Sequence, residues 1–416
     1  MLVKQIAKIA VAGVLASLLG SVAWGQAEKK KEWKDRAEYD LFEAARTSVA
    51  TDPNKALESL NTWKQKYAAT DYDEERMLLF VQTYQKLGQA PKMYEAAHEL
   101  WQKYPKNIQG PFWLTSLTVS MNDPQKYDTG EKAAKALLDL ASTLPKPPTL
   151  SDADFKKQVD GLAVIAHTTL GWVAMNKKSY PVAEQELKKL LELNPNNSQA
   201  SYWLGSVLIA QRVPEKQIQA FYHFARAGHF SGEGAMPAAE RKKAADYLQK
   251  IYTTFHGDES GLNELIAMSQ KSPMPPADLA IKSKEQVEFE REEELKRKDP
   301  ELALWKNIKK LLDAPDGEQT FNSSMVNTKV KLRGYLVSQT PPERPKTLVL
   351  ALSDRDGRGE ATINLDNPFK YAAPRGTTIR FEGVAKSFTK SPFMLTFEAE
   401  QENVHGWPEP PSRKSK

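Results

Sequence analysis

VIAHTTLGWVAMNKKSYPVAEQELKKLLELNPNN (164–197) runs straight into SQASYWLGSVLIAQRVPEKQIQAFYHFARAGHFS (198–231), two windows of 34 residues laid end to end. Leu170-Gly171 stands at positions seven and eight of the first window, and Leu204-Gly205 at the same positions of the second. In the first window Tyr180, Ala183 and Pro195 follow at positions seventeen, twenty and thirty-two. Each choice has a physical reason. Small Gly171, Gly205 and Ala183 let two helices approach closely. Leu187 and Leu190 continue an apolar side at helical spacing. Pro195 cannot continue a helix and sets the turn into the next window. Each window therefore reads as a helix, a turn and a second helix.

The frame extends upstream. Window 74–107 has Phe80 at position seven, Tyr84 at eleven, Gly88 at fifteen and Pro105 at thirty-two. It departs at positions eight and twenty, where Val81 and Met93 replace small residues. Window 108–145 keeps Trp113-Leu114 and then passes through an irregular loop around Asn122-Asp123-Pro124. Residues 36–67 form a degenerate helical pair broken at Asp52-Pro53, and residues 237–271 a further pair, read as a capping unit.

These features resemble tetratricopeptide repeats across most of 36–271. The resemblance implies stacked helix pairs whose first helices line a concave surface that holds a protein or peptide. In that family the second, fifth, ninth and twelfth positions of the first helix commonly face the groove. The corresponding residues here are Leu78, Gln82 and Gln85, then Thr168, Trp172 and Met175, then Tyr202, Ser206 and Ile209. Aromatic, amide and hydroxyl groups together suit an extended peptide. Packing of Trp172 and Tyr202 against a neighbouring repeat is the competing reading. Repeats that clamp a C-terminal carboxylate place Lys and Asn where Thr168 and Trp172 stand, so that clamp is not expected.

Downstream, residues 272–318 read as a linker with charged helices. Ser272-Pro273-Met274-Pro275-Pro276 ends the helical region. An acidic-to-basic stretch, 284–298, follows the sense of a helix dipole and reads as a solvated helix. Asp299-Pro300 starts another helix, with Leu304, Ile308, Leu311 and Leu312 on its apolar side. From Lys329 the period becomes two. Five strands are expected: 329–338, around Leu348 to Leu352, 362–365, around 378–383, and Phe393 running on toward Val404. Gly334 and Gly383 fall at bends. This pattern, 319–407, resembles an OB-fold-like barrel, with 408–416 as a flexible tail. The expected fold class is multidomain: an all-α tetratricopeptide superhelix followed by a small all-β OB-like barrel.

The N-terminus reads as an address. Lys4 and Lys8 precede an uncharged, mostly apolar run from Ile9 to Leu19, and small residues cluster around Ala23, Gly25 and Ala27. Residues 1–27 fit a secretory signal peptide. The apolar run is short of the about 20 residues a membrane span needs. Residues 28–32 read as a solvated leader. A periplasmic or secreted location follows, with no membrane span after cleavage.

Composition narrows the chemistry. The 416 residues are 40% hydrophobic and 27% charged, with nine Trp, which suits packed domains rather than disorder. The formal net charge of +5 is too small to imply a nucleic-acid partner. With no cysteine, disulfides, thiolate metal sites and a Cys nucleophile are excluded. His98, His167, His223, His229, His256 and His405 form no HExxH pair. Asp354-Arg355-Asp356-Gly357-Arg358-Gly359-Glu360 resembles a calcium loop, but two arginines oppose a cation and Asp356-Gly357 suits a hairpin turn. No cofactor and no metal is implied. The expectation is a non-enzymatic adaptor in an envelope assembly. The alternative is a glycan or small-ligand carrier using the barrel, with Phe388 and Phe393 flanking a basic loop. A hydrolase site assembled from distant residues is a third.

Overall fold

The computed structural model describes residues 31–408. The expected signal peptide, residues 28–30 of the leader and 409–416 of the tail lie outside the described residues. The chain divides into two compact units, one ending at Ile281 and the other starting at Lys282.

The first unit contains twelve helices among its described residues. They are α1 (Arg36–Ser48), α2 (Pro53–Lys66), α3 (Asp73–Lys86), α4 (Ala90–Lys103), α5 (Gln109–Met121) and α6 (Tyr127–Ser142). Then come α7 (Asp152–Asn176), α8 (Tyr180–Leu193), α9 (Ser198–Ala210), α10 (Pro214–His229), α11 (Ala238–His256) and α12 (Leu262–Lys271). The helix starts explain themselves. Asp35, Asp52, Ser151 and Asn197 accept a backbone N–H from the first turn of α1, α2, α7 and α9. Proline occupies the first or second position of α2, α4, α8 and α10, where its missing N–H costs nothing.

Helices α1 to α10 pack as five consecutive pairs, each against the next. Window 164–197 is α7 with α8, although α7 begins twelve residues earlier, at Asp152. Window 198–231 is α9 with α10, and window 74–107 is α3 with α4. A Cβ at Gly171 would stand 2.9 Å from Leu187 Cδ2, and one at Gly205 3.2 Å from the Phe224 ring. The small residues at position eight thus suit the close approach of the second helix. Residues 36–67 form a full pair despite their degenerate sequence. The expected capping pair differs: α11 and α12 both pack on α10, and Tyr252, Leu262 and Leu265 join its buried cluster.

Two buried arginines fasten the stack. Arg226, 2% exposed, donates from Nη1 to the carbonyls of Ser269 (2.7 Å), Gln270 and Ser272 at the C-terminus of α12, and from Nη2 to the Pro195 carbonyl (2.8 Å). A guanidinium suits unpaired carbonyls at a helix C-terminus. Arg76 does the same for α2, donating to the carbonyls of Tyr67 (2.7 Å) and Ala68, and it also holds Asp73.

The expected solvated leader is corrected where it is described. Lys31 binds Glu75 at 2.6 Å, the Glu32 N–H donates to Asp71, and Trp33 stacks on Tyr72 with ring centres 3.6 Å apart. The Trp33 ring next to this segment has apolar surface to bury, and α1 to α3 supply the rings.

The second unit contains α13 (Lys284–Lys298), α14 (Pro300–Asp313), a short α15 (Gly317–Thr320) and six strands. These are β1 (Lys329–Thr340), β2 (Thr347–Ala351), β3 (Ala361–Leu365), β4 (Thr378–Lys390), β5 (Phe393–Ala399) and β6 (Val404–His405). The order is β1-β2-β3-β5-β4-β6, and β4 returns to pair with β1, closing a small barrel. Strand β3 runs parallel to β5, while the other pairs are antiparallel. Strand β1 faces β4 over Lys329–Tyr335 and β2 from Tyr335 onward, with Gly334 at the change. The expected fifth strand stops at Ala399, and Val404 belongs to separate β6 after a turn at Gln401–Asn403.

The expected linker is corrected in its second half. Helix α14 plugs the barrel: Trp305, Ile308 and Leu312 share the buried cluster of Leu332, Leu350, Ile363, Phe381 and Phe397. Leu304 and Leu311 are exposed instead. Trp305 Nε1 donates to Ser353 Oγ at 3.0 Å. Glu360 accepts the N–H groups of Leu352 and Ser353 and pairs with Lys309. The carboxylate closing the calcium-like loop is therefore engaged by donors that fix the β2–β3 turn to α14.

Candidate functional site

The nine candidate groove residues sit on the first helices of three pairs, and the structure treats them unequally. On α3, Leu78 and Gln82 are half-buried and Gln85 is exposed. On α9, Tyr202 is exposed, and Ser206 and Ile209 are half-buried. On α7 the expectation needs correction. Trp172 is 9% exposed and meets Tyr127 edge-to-face at 5.1 Å, in a buried cluster with Val119 and Val173. Thr168 is equally buried, and its hydroxyl donates to the Val164 carbonyl at 2.6 Å. Met175 is half-buried beside that cluster. For Trp172 the reason is the neighbour: Tyr127 of α6 packs against its ring. Thr168 and Trp172 are therefore spent on packing.

Around Tyr202 the structure adds residues that the sequence did not reveal. Its ring meets buried Phe224 edge-to-face at 5.7 Å, and Tyr247 of α11 meets the same ring at 5.0 Å. Tyr202 is 37% exposed and Tyr247 40% exposed. Two exposed phenols on α9 and α11 thus share one buried ring of α10. An exposed aromatic held in a fixed orientation is a strong contact group, since its ordering is prepaid. Tyr247 lies beyond the regular windows, where no repeat position could be assigned to it. Its only signal in the sequence is a large aromatic among the charged residues of 237–256.

Beneath α9, charge is tightly satisfied. Burial pushes the Glu184 carboxyl up, but Lys188, Lys216 and Gln211 at 2.6, 2.6 and 2.8 Å hold it down to about 2. His223 is fully enclosed, and burial, with Lys188 and Arg226 adding repulsion, drops its pKa to about 3. It is a neutral core histidine. His167 bonds Glu186 at 2.6 Å. Among the described residues, no group of three or more His, Asp or Glu side chains is placed to hold a metal ion.

A second concavity lies elsewhere in the first unit. A cleft of about 540 Å³ opens between α2, α3 and α4. Met77, Phe80 and Tyr84 line it, with Lys64 and Lys92 among its charged residues. Helical spacing of 100° per residue sets these apolar residues on a different side of α3 from Leu78, Gln82 and Gln85. In the barrel, Phe388 and Phe393 face each other at 5.3 Å and lean on Phe321 and Trp305. They pack against the core as an ordinary hairpin pair.

No family model and no curated protein matches the chain. Solved structures do. PilF of Pseudomonas aeruginosa is 14% identical, over 62% of this chain and 97% of that one, with a TM-score of 0.33. A tetratricopeptide repeat protein from Parabacteroides merdae is 15% identical, over 57% and 98%, with a TM-score of 0.30. A thermophilic TPR protein of Thermus thermophilus is 16% identical, over 51% and 98%, with a TM-score of 0.27. Superpositions this loose carry no argument about function. The architecture rests on the helix pairs and the strand order themselves.

Proposed function

We propose that this chain is an exported, non-enzymatic adaptor, periplasmic or secreted, whose helix pairs hold a protein or peptide. The observation that carries the reading is the pair of exposed tyrosines, Tyr202 and Tyr247, braced on buried Phe224. Stacked helix pairs present an extended surface, and rigid aromatics on it supply contact area at little entropic cost. Gln85, Ser206 and Ile209 add amide, hydroxyl and aliphatic contacts on the same set of first helices. The barrel is OB-like in this reading, supported by its β1-β2-β3-β5-β4 order with β3 parallel to β5. It gives the adaptor a second point of attachment, so that two modest contacts combine into a durable one. A glycan-carrier role is less well supported, because the aromatics that would stack on a sugar, Phe388 and Phe393, are engaged with each other and the core.

The test is site-specific photo-crosslinking in the exporting host. A photoreactive residue at 202 or 247 is expected to give one discrete protein adduct. The same probe at Val182, exposed on second helix α8, is expected to give none. An absent adduct at 202 and 247, or an identical one from all three positions, would overturn the groove assignment. Sequencing the N-terminus of the exported protein tests the signal peptide, with a start just after Gly25 or Ala27 expected.

A further inference from the structure

Helix α13 has an unusual surface. No residue of it is buried, and Phe289 is 63% exposed. Val287 and Leu295 are its half-buried apolar residues, on the side that packs with α14. At 100° per residue, Phe289 falls on the opposite side, together with Glu285, Glu293 and Lys296. A phenyl ring held in water on a well-capped helix, flanked by Glu285 and Glu293, has no folding role within its own unit.

The α2–α3–α4 cleft has the complementary surface. Its floor carries Phe80 and Tyr84, ring centres 6.0 Å apart and tilted 27°. Lys64 lies 5.8 Å from the Phe80 ring centre, and Lys92 5.8 Å from that of Tyr84. Asp73 in the cleft is held by Arg76 and Lys103, and Lys64 lies 3.7 Å from Glu99. Lys92 has no carboxylate partner among the described residues. The space, about 540 Å³, admits a phenylalanine side chain with room for its neighbours. On α13, Glu292 and Glu293 pair with Lys310 at 3.4 Å and Lys296 at 2.8 Å, both exposed contacts that exchange at little cost.

We infer that the outward side of α13 from one copy of this chain docks in the α2–α3–α4 cleft of a second copy, with Phe289 on Phe80 and Tyr84 and its flanking carboxylates toward Lys92. Knob and cleft are different surfaces, so the contact is heterologous. Each copy both gives and receives, and association adds copies head to tail. One aromatic anchor with a small charged rim makes the contact reversible and sensitive to salt.

Sedimentation velocity on the chain lacking residues 1–27 tests this. The weight-average mass is expected to rise from one chain's value between low and high micromolar concentration, and to fall back as salt is raised. Phe289→Ser and, separately, Lys92→Glu are each expected to weaken association about tenfold. Both residues are exposed, so both variants should keep the parent circular dichroism and melting temperature. The decisive arm mixes the two variants. The mixture keeps one intact contact, the knob of Lys92→Glu in the cleft of Phe289→Ser, so it should dimerise at concentrations where neither variant associates alone. A monomer at every concentration, unchanged association of either variant, or no dimer in the mixture would overturn the inference. A Phe289→Ser chain that changes shape but not mass would place the contact within one copy, and that too overturns it.

Discussion

Windows 164–197 and 198–231 share a length and a glycine at position eight, yet they use their first helices in opposite ways. On α7, Trp172 is closed off by Tyr127 of the preceding pair. On α9, Tyr202 stays exposed, and the ring it rests on, Phe224, also supports exposed Tyr247. The 34-residue frame thus determines which side of a helix a residue occupies. It does not determine whether a neighbouring pair covers that side. The neighbour is set by the irregular stretch 108–145, where the frame is weakest.

The sharpest way to break this comparison is Trp172→Ala. Emptying a closed aromatic site is expected to cost about 3–5 kcal/mol. Urea unfolding followed by far-UV circular dichroism measures it, and hydrogen exchange in α6 and α7 localises it. A loss below about 1 kcal/mol would return Trp172 to the list of groove residues. Next comes Arg226→Met. It leaves the carbonyls of Ser269, Ser272 and Pro195 without their donor and should cost about 3 kcal/mol. Peptides from α12 and the 194–197 turn should exchange faster first, because both are held by that one side chain.

These contrasts also mark what the residues could reveal. The pair architecture was legible because Gly171, Gly205, Ala183 and Pro195 each have a geometric reason at a fixed spacing. The alternating strands were legible because their apolar residues recur at a period of two. Trp305 was not. Helix α14 shows an apolar stripe through Leu304, Ile308, Leu311 and Leu312, and only its packing on the strands decides that Trp305, Ile308 and Leu312 enter the core while Leu304 and Leu311 stay out. Arg226 was equally hidden, since its partners are backbone carbonyls 31 to 46 positions away. Tyr247 and the α2–α3–α4 cleft depend on helices brought together in space, and no spacing rule reports that.

A smaller effect comes from acid. Folded His223 is neutral with its pKa near 3, whereas in the unfolded chain it takes up a proton near 6.5. The unfolded state therefore binds more protons between those values, and stability must fall as pH is lowered through 6.5. The slope is at most about 1.4 kcal/mol per pH unit. His223→Leu should reduce the fall of the urea midpoint between pH 7 and pH 5, and half-buried His229, whose pKa burial also lowers, accounts for the slope that remains. Glu184 adds its own loss only below about 4.5, as its carboxylate is protonated away from Lys188 and Lys216. An unchanged slope in His223→Leu would mean that the histidine is solvated in the native state.

The smallest effect on stability should come from Tyr202→Ala, and that is what makes it informative. An edge-to-face aromatic contact contributes about 0.5–1.5 kcal/mol beyond area burial, and Tyr202 buries only part of its ring. Its loss should therefore cost about 1–2 kcal/mol, under the cost at Trp172. If Tyr202 is displayed for a partner, the same substitution should remove most of the adduct formed from a photoreactive residue at 247, because the partner loses half of its aromatic platform. Large stability loss with little binding loss belongs to α7, and the reverse to α9. Should Tyr202→Ala unfold the stack while leaving the adduct intact, the exposed ring would be a structural brace for Phe224, and the two windows would differ in degree alone.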